Sequence, residues 1–136
     1  MVLTFDGDLL DRFWLANYAP ELIVAERRRY PLIAAIGDGL GGNTDVQSVP
    51  IPLDCVDGFT EAYYGRPEKL LDPAVRRCQS AWGFVEPAAE RRAVERLRDD
   101  LASGLWDKHH GHLRTQPHFE GSLRLITAQV KTHGSP

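Results

Sequence analysis

Met1-Val2-Leu3-Thr4-Phe5-Asp6 is the stretch on which the reading of this chain turns. The apolar run has the length and composition of a buried strand, and it reads as one strand of an α/β sheet already under way. An α/β nucleotide-binding domain ordinarily opens with a strand, a Gly-rich turn and a helix whose N-terminal amides hold the cofactor. No such series stands before this strand or follows it. The expectation is therefore the second half of an enzyme.

Composition bounds what surrounds the strand. A chain of 136 residues with 43% apolar and 26% charged residues has material for one core and is neither disordered nor fibrous. The net charge of −3 and pI near 5.9 argue against a nucleic-acid partner, which needs a concentrated basic face. Arg27-Arg28-Arg29, the main basic run, sits beside Glu26 in a helical segment and reads as a solvated face. No run approaches the roughly 18 apolar residues of a membrane helix, and no basic-then-apolar leader opens the chain, so the expected location is cytoplasmic, with no membrane contact. Cys55 and Cys78 form no C-x-x-C pair and are expected as reduced thiols.

Residues 1–130 read as one domain and 131–136 as a polar tail. Asp8 is placed to cap a helix carrying Leu9, Leu10, Phe13 and Trp14, and Pro20 and Pro31 suit the first turns of two more, Glu21 to Arg29 and Leu32 to Ile36. The run Leu22-Ile23-Val24-Ala25 is short enough to serve as a strand as well. Gly37-Asp38-Gly39-Leu40-Gly41-Gly42 stops the helical stretch, and Thr44 to Ile51 forms a strand that Pro50 ends or confines to an edge. Helices are expected from Phe59 to Tyr64, from Ala74 to about Trp82 behind Asp72-Pro73, and from Glu86-Pro87 to Ala102. The last carries an apolar stripe at Ala89, Ala93, Val94, Leu97 and Leu101 and stops at Gly104. Leu123 to Val130 closes the series as a strand covered on both faces. Few strands among many helices match one end of an open α/β sheet.

Phe13-Trp14-Leu15, Tyr18, Pro20-Glu21, Tyr30-Pro31, Val49-Pro50-Ile51-Pro52-Leu53-Asp54-Cys55 and Asp57-Gly58-Phe59 together resemble the C-terminal half of bacterial class I S-adenosylmethionine-dependent methyltransferases of the type 11 group. The likeness continues through Ala62-Tyr63-Tyr64, Arg66-Pro67-Glu68, Leu71-Asp72-Pro73, Leu101 to Gly104, Trp106-Asp107, Gly111, Leu113-Arg114 and Leu123 to Ile126. It implies a Rossmann-like fold of which this chain holds about three strands, the first interior to the parent sheet and the last antiparallel to its neighbours. It also implies methyl transfer to a small molecule by in-line displacement at the cofactor's methyl sulfonium. The family's Gly-rich loop and ribose-binding acid both belong to the half that would precede Met1, so no cofactor-binding residue is expected here, and none of S-adenosylmethionine bound by this chain alone.

Gly37-x-Gly39-x-Gly41-Gly42 is no substitute, because it follows a helix and enters a strand, whereas a cofactor loop does the reverse. Asp107, His109, His110 and His112 offer metal-ligand types, but a single short segment rarely closes a coordination shell, and a packed loop without metal is the expectation. Asp54 and Cys55 lie just past the Pro50/Pro52 strand, where ligands of open α/β sheets bind. Asp54 and Asp57 are candidate substrate contacts or helix caps, and Cys55 is a nucleophile or, more simply, a structural thiol. Phe59, Tyr63, Tyr64, Trp82 and Trp106 are candidates for an apolar substrate wall, against the simpler reading as core. No catalytic residue is assigned. Two function classes follow: a methyltransferase piece inactive by itself, or a non-catalytic module that pairs through its uncovered strand edge with a second copy or a complementary N-terminal half.

Overall fold

A computed structural model describes residues 2–30, 33–40, 44–55 and 58–128. Strand β1 (Val2–Phe5) and strand β2 (Thr44–Ser48) both pair antiparallel with the last strand, β5 (Leu123–Ala128), which lies between them. β1 and β2 therefore run in the same direction, and β5 alone is reversed. The chain is α/β, with a small antiparallel sheet flanked by helices. The register sets Phe5 opposite Leu123 and Leu3 opposite Leu125, and these four share one face of the sheet. In the described sheet β1 is an edge strand, and Leu3 on it is 63% exposed. Pro50 ends β2 as expected, and the chain resumes in a two-residue strand, β3 (Ile51–Pro52), paired with β4 (His118–Phe119). That second, two-stranded sheet leaves no mark in the sequence, because strands of two residues are too short to show an alternating pattern.

The helices that stand on strong local signals lie where expected. Helix α1 (Pro20–Arg29) has Pro20 in its first turn and buries Leu22, Ile23 and Glu26, so the ambiguous run at Leu22 to Ala25 is helical. Helix α2 (Ile33–Gly39) contains Gly37 and Gly39 and ends there, while Gly41 and Gly42 lie outside the described residues. Asp72 caps helix α3 (Pro73–Arg77) by accepting from the Ala74 amide at 2.9 Å. Helix α4 (Pro87–Ser103) buries Ala89, Ala93, Val94 and Leu97, and helix α5 (Leu105–His110) follows it at once.

Elsewhere the local expectations needed correction. No single helix carries Leu9 to Trp14: two 3-10 turns, Gly7–Arg12 and Trp14–Asn17, meet at an extended Phe13. With that break, neighbouring Phe13 and Trp14 both point into the core, at 2% and 4% exposure. The capping carboxylate is Asp6, which accepts from the Asp8 amide, and not Asp8. The helix expected to reach Trp82 stops after Arg77, because Gln79 is extended and buried, taking hydrogen bonds from Thr60 Oγ1 and Trp82 Nε1 before a 3-10 turn at Ser80–Phe84. The core beneath these turns is aromatic. Trp14 donates to the Tyr64 carbonyl at 3.1 Å and meets Trp106 edge-on at 5.4 Å, and Tyr64 stacks on Phe119 at 5.0 Å.

Candidate functional site

The shared face of β1 and β5 opens into a cleft of about 550 Å³. Leu3, Phe5 and Leu123 come from the sheet, Val49 to Pro52 form the segment leaving β2, and Asp54, Cys55 and Phe59 close the ring. The lining is apolar apart from Asp54 and Cys55, a pattern suited to an apolar small molecule with one polar anchor. Asp54 is exposed and Cys55 half-buried at its edge. Cys55 and Cys78 form no disulfide.

Two interactions hold the Asp54–Cys55 turn in place. The Cys55 amide donates to the Pro52 carbonyl at 3.1 Å, and the Arg66 guanidinium donates to the Cys55 carbonyl at 2.8 Å and to that of Ala62 at 3.0 Å. Arg66 also lies over the Tyr63 ring, 5.1 Å from its centre. Tyr63 is thus a support behind the loop. Gly65, next to Arg66, passes so close to Leu113 O and Leu53 Cδ1 that an added Cβ would stand 2.5 and 2.6 Å from them. Only glycine lets this backbone approach.

The structure divides the candidate residues. Asp54, Cys55 and Phe59 are brought together on the cleft; Asp57 lies outside the described residues. Tyr64 and Trp106 are fully buried in the core, away from the cleft, with the Tyr64 hydroxyl donating to Gln116 O at 2.6 Å. Asp107 is engaged by Arg114, which also binds Glu68 and rests on the Trp106 ring at 4.9 Å. Those hydrogen bonds hold the Glu68 carboxyl below its ordinary range. His110 packs against Trp14 and Trp106, and burial, then the neighbouring His109 and His112, lowers its pKa. Among the described residues no group of three His, Cys, Asp or Glu side chains is placed to hold a metal ion.

Sequence reading missed what lies behind the cleft. A cavity of about 10 Å³, at the lower limit for one water, shares Phe5 and Phe59 with the cleft and is lined further by Glu26, Tyr30, Thr60 and Glu61. Glu61 is 2% exposed and accepts from the Ser122 amide at 3.0 Å and from its hydroxyl. Burial pushes its pKa up against the opposing pull of those bonds. Thr60 Oγ1 is within hydrogen-bonding reach of Glu26 at 3.0 Å. Burial, reinforced by the Glu26 charge, pushes the Tyr30 hydroxyl up to about 12. Glu26 stands four residues after Leu22 and so shares the buried face of α1, but the three arginines that follow it mark the segment as solvated, and Glu61, between Thr60 and Ala62, gives no periodic signal of burial.

A cofactor site of the nucleotide-binding kind needs a strand that feeds a Gly-rich loop at a helix N-terminus. Among the described residues β1 runs instead into a 3-10 turn, and α2 ends at Gly39 on the way to β2. The residues present do not fit that site.

No protein-family model matches this chain, and no curated protein does. Among solved structures, a protein described as a methyltransferase from an antibiotic biosynthesis pathway of Anabaena variabilis aligns over 94% of the chain with a TM-score of 0.84 and 26% identity. The chain spans 53% of that protein's length. Its fold is that of part of a Rossmann-like class I methyltransferase.

Proposed function

We propose that the chain is the C-terminal, substrate-side part of a class I S-adenosylmethionine-dependent methyltransferase acting on a small molecule, and that these 136 residues alone do not transfer a methyl group. The observation that carries this reading is the match over 94% of this chain but 53% of a protein described as a methyltransferase. The reversed β5 between two like-directed strands supports it as the late end of a mixed sheet. The chain's own share is the acceptor's surroundings: an apolar cleft, Asp54 and Cys55 at its edge, and Phe59 as a wall. The cofactor's share, a Gly-rich turn and a ribose carboxylate, would come from other sequence, in the same polypeptide or another.

Calorimetric titration tests the reading. S-adenosylmethionine added to this chain should give no saturable heat tighter than about 100 μM. Added to a mixture with the portion of the Anabaena protein that this chain does not match, it should bind more tightly than to that portion alone. Saturable binding by the chain alone, or a mixture no better than the Anabaena portion, would sink it.

One observation favours a second reading. Among the described residues β1 is an edge strand, and Leu3 projects from it 63% exposed, so the chain could act without catalysis as a module that pairs through this edge.

A further inference from the structure

The outer side of α1 has a pattern that its buried side does not explain. Leu22, Ile23 and Glu26 face the core and the half-buried Ala25 packs against its edge, whereas Glu21, Val24, Ala25 and Arg28 also fall in a second stripe at i, i+3, i+4 and i+7. That stripe, with Arg29 beside its basic end, is one wall of a groove of about 560 Å³, whose other side is Phe84, Val85, Glu86 and Ala89. Val24 is 46% exposed and Phe84 75% exposed. Among the described residues Glu21 and Arg28 have no ion-pair partner, although the adjacent Arg27 is tied to Asp11 and to the Gly7 carbonyl.

We propose that this groove is a self-association surface, on which a second copy of the chain lays its own α1 antiparallel to the first. The argument for a second copy is the placing of the charges. An acid stands at one end of the stripe and a base at the other, separated by about 10 Å of helix axis, with two apolar positions midway. A two-fold axis between Val24 and Ala25 brings Glu21 of each copy opposite Arg28 of the other and sets the apolar centres together. The patch is complementary to itself, as an isologous interface must be. A partner of one charge sign would be repelled at one end. Antiparallel helices also oppose their dipoles favourably. Phe84 of each copy then has the other copy's groove in which to be covered.

Sedimentation of the full chain at tens of micromolar, on the order at which such association is seen, tests this. The measurement is made on the natural sequence and on Leu3→Lys, so that pairing at the β1 edge is separated from pairing at α1. The expected result is a dimer in both. Phe84→Ser changes a residue that is exposed in the single copy, so it should keep the circular dichroism of the parent and sediment as a monomer. Glu21→Arg and Arg28→Glu should each weaken the dimer at least about tenfold by opposing like charges, and the two together should restore it. A monomeric parent or Leu3→Lys chain, a Phe84→Ser dimer, or a double charge variant no tighter than the single ones would overturn the proposal.

Discussion

Glu61 is a carboxyl group placed where its charge is costly. It is nearly out of solvent, with the Ser122 amide and hydroxyl as its hydrogen-bond donors, and burial raises its pKa above the ordinary carboxylate value of 4.5. A folded-state pKa above the unfolded one means that the unfolded chain releases this proton more readily. The group's contribution is therefore most favourable below the unfolded value and is lost as pH rises through the folded one. Glu61→Gln keeps an oxygen for Ser122 and cannot ionise. Its melting temperature minus that of the parent should increase from pH 5 to pH 8. A difference that stays level or falls would mean that Glu61 is not desolvated as its surroundings require.

Among the elements, the α4–α5 junction is the place where backbone geometry dictates the residue. Gly104 has φ +83°, ends α4 in the left-handed region and leads directly into α5. An added Cβ there would meet no neighbour within 4 Å, so substitution reports backbone strain with no packing change mixed in. Gly104→Ala should cost about 1–2 kcal/mol, read as a lower urea midpoint at unchanged slope. An unchanged midpoint would mean that the corner relaxes to negative φ. The position matters for packing because α5 delivers Trp106 to the core and Asp107 to Arg114.

For the molecule as a whole, the open question is what covers β1. Its edge carries backbone donors and acceptors beside an exposed Leu3, a combination that templates pairing. The natural chain should form species larger than a dimer as concentration rises, and Leu3→Lys should remove these larger species while leaving the dimer. Identical size distributions for the two chains would show that the edge is not where association occurs.

The features legible in the sequence were those with a local cause. A short apolar run made β1, Pro20 opened α1, Asp72-Pro73 opened α3, and a 3.6-residue apolar stripe ended by Gly104 made α4. Asp54 and Cys55 were legible as neighbours of a strand end, while Phe59 was read with Tyr63, Tyr64 and Trp106, and only the fold set it beside Asp54 and Cys55. Tertiary packing decided the rest. An extended Phe13 divided the segment from Leu9 to Trp14 between two 3-10 turns, and Gln79 stopped α3 to reach Thr60 and Trp82. Tyr64 and Trp106 went to the core, and Glu61 met Ser122 across 61 residues of chain. The reason is one of range. Caps, prolines and periodic stripes act within a few residues and leave their mark in the local order of amino acids, whereas a buried carboxylate or a shared aromatic core is settled by partners that only the completed fold brings together.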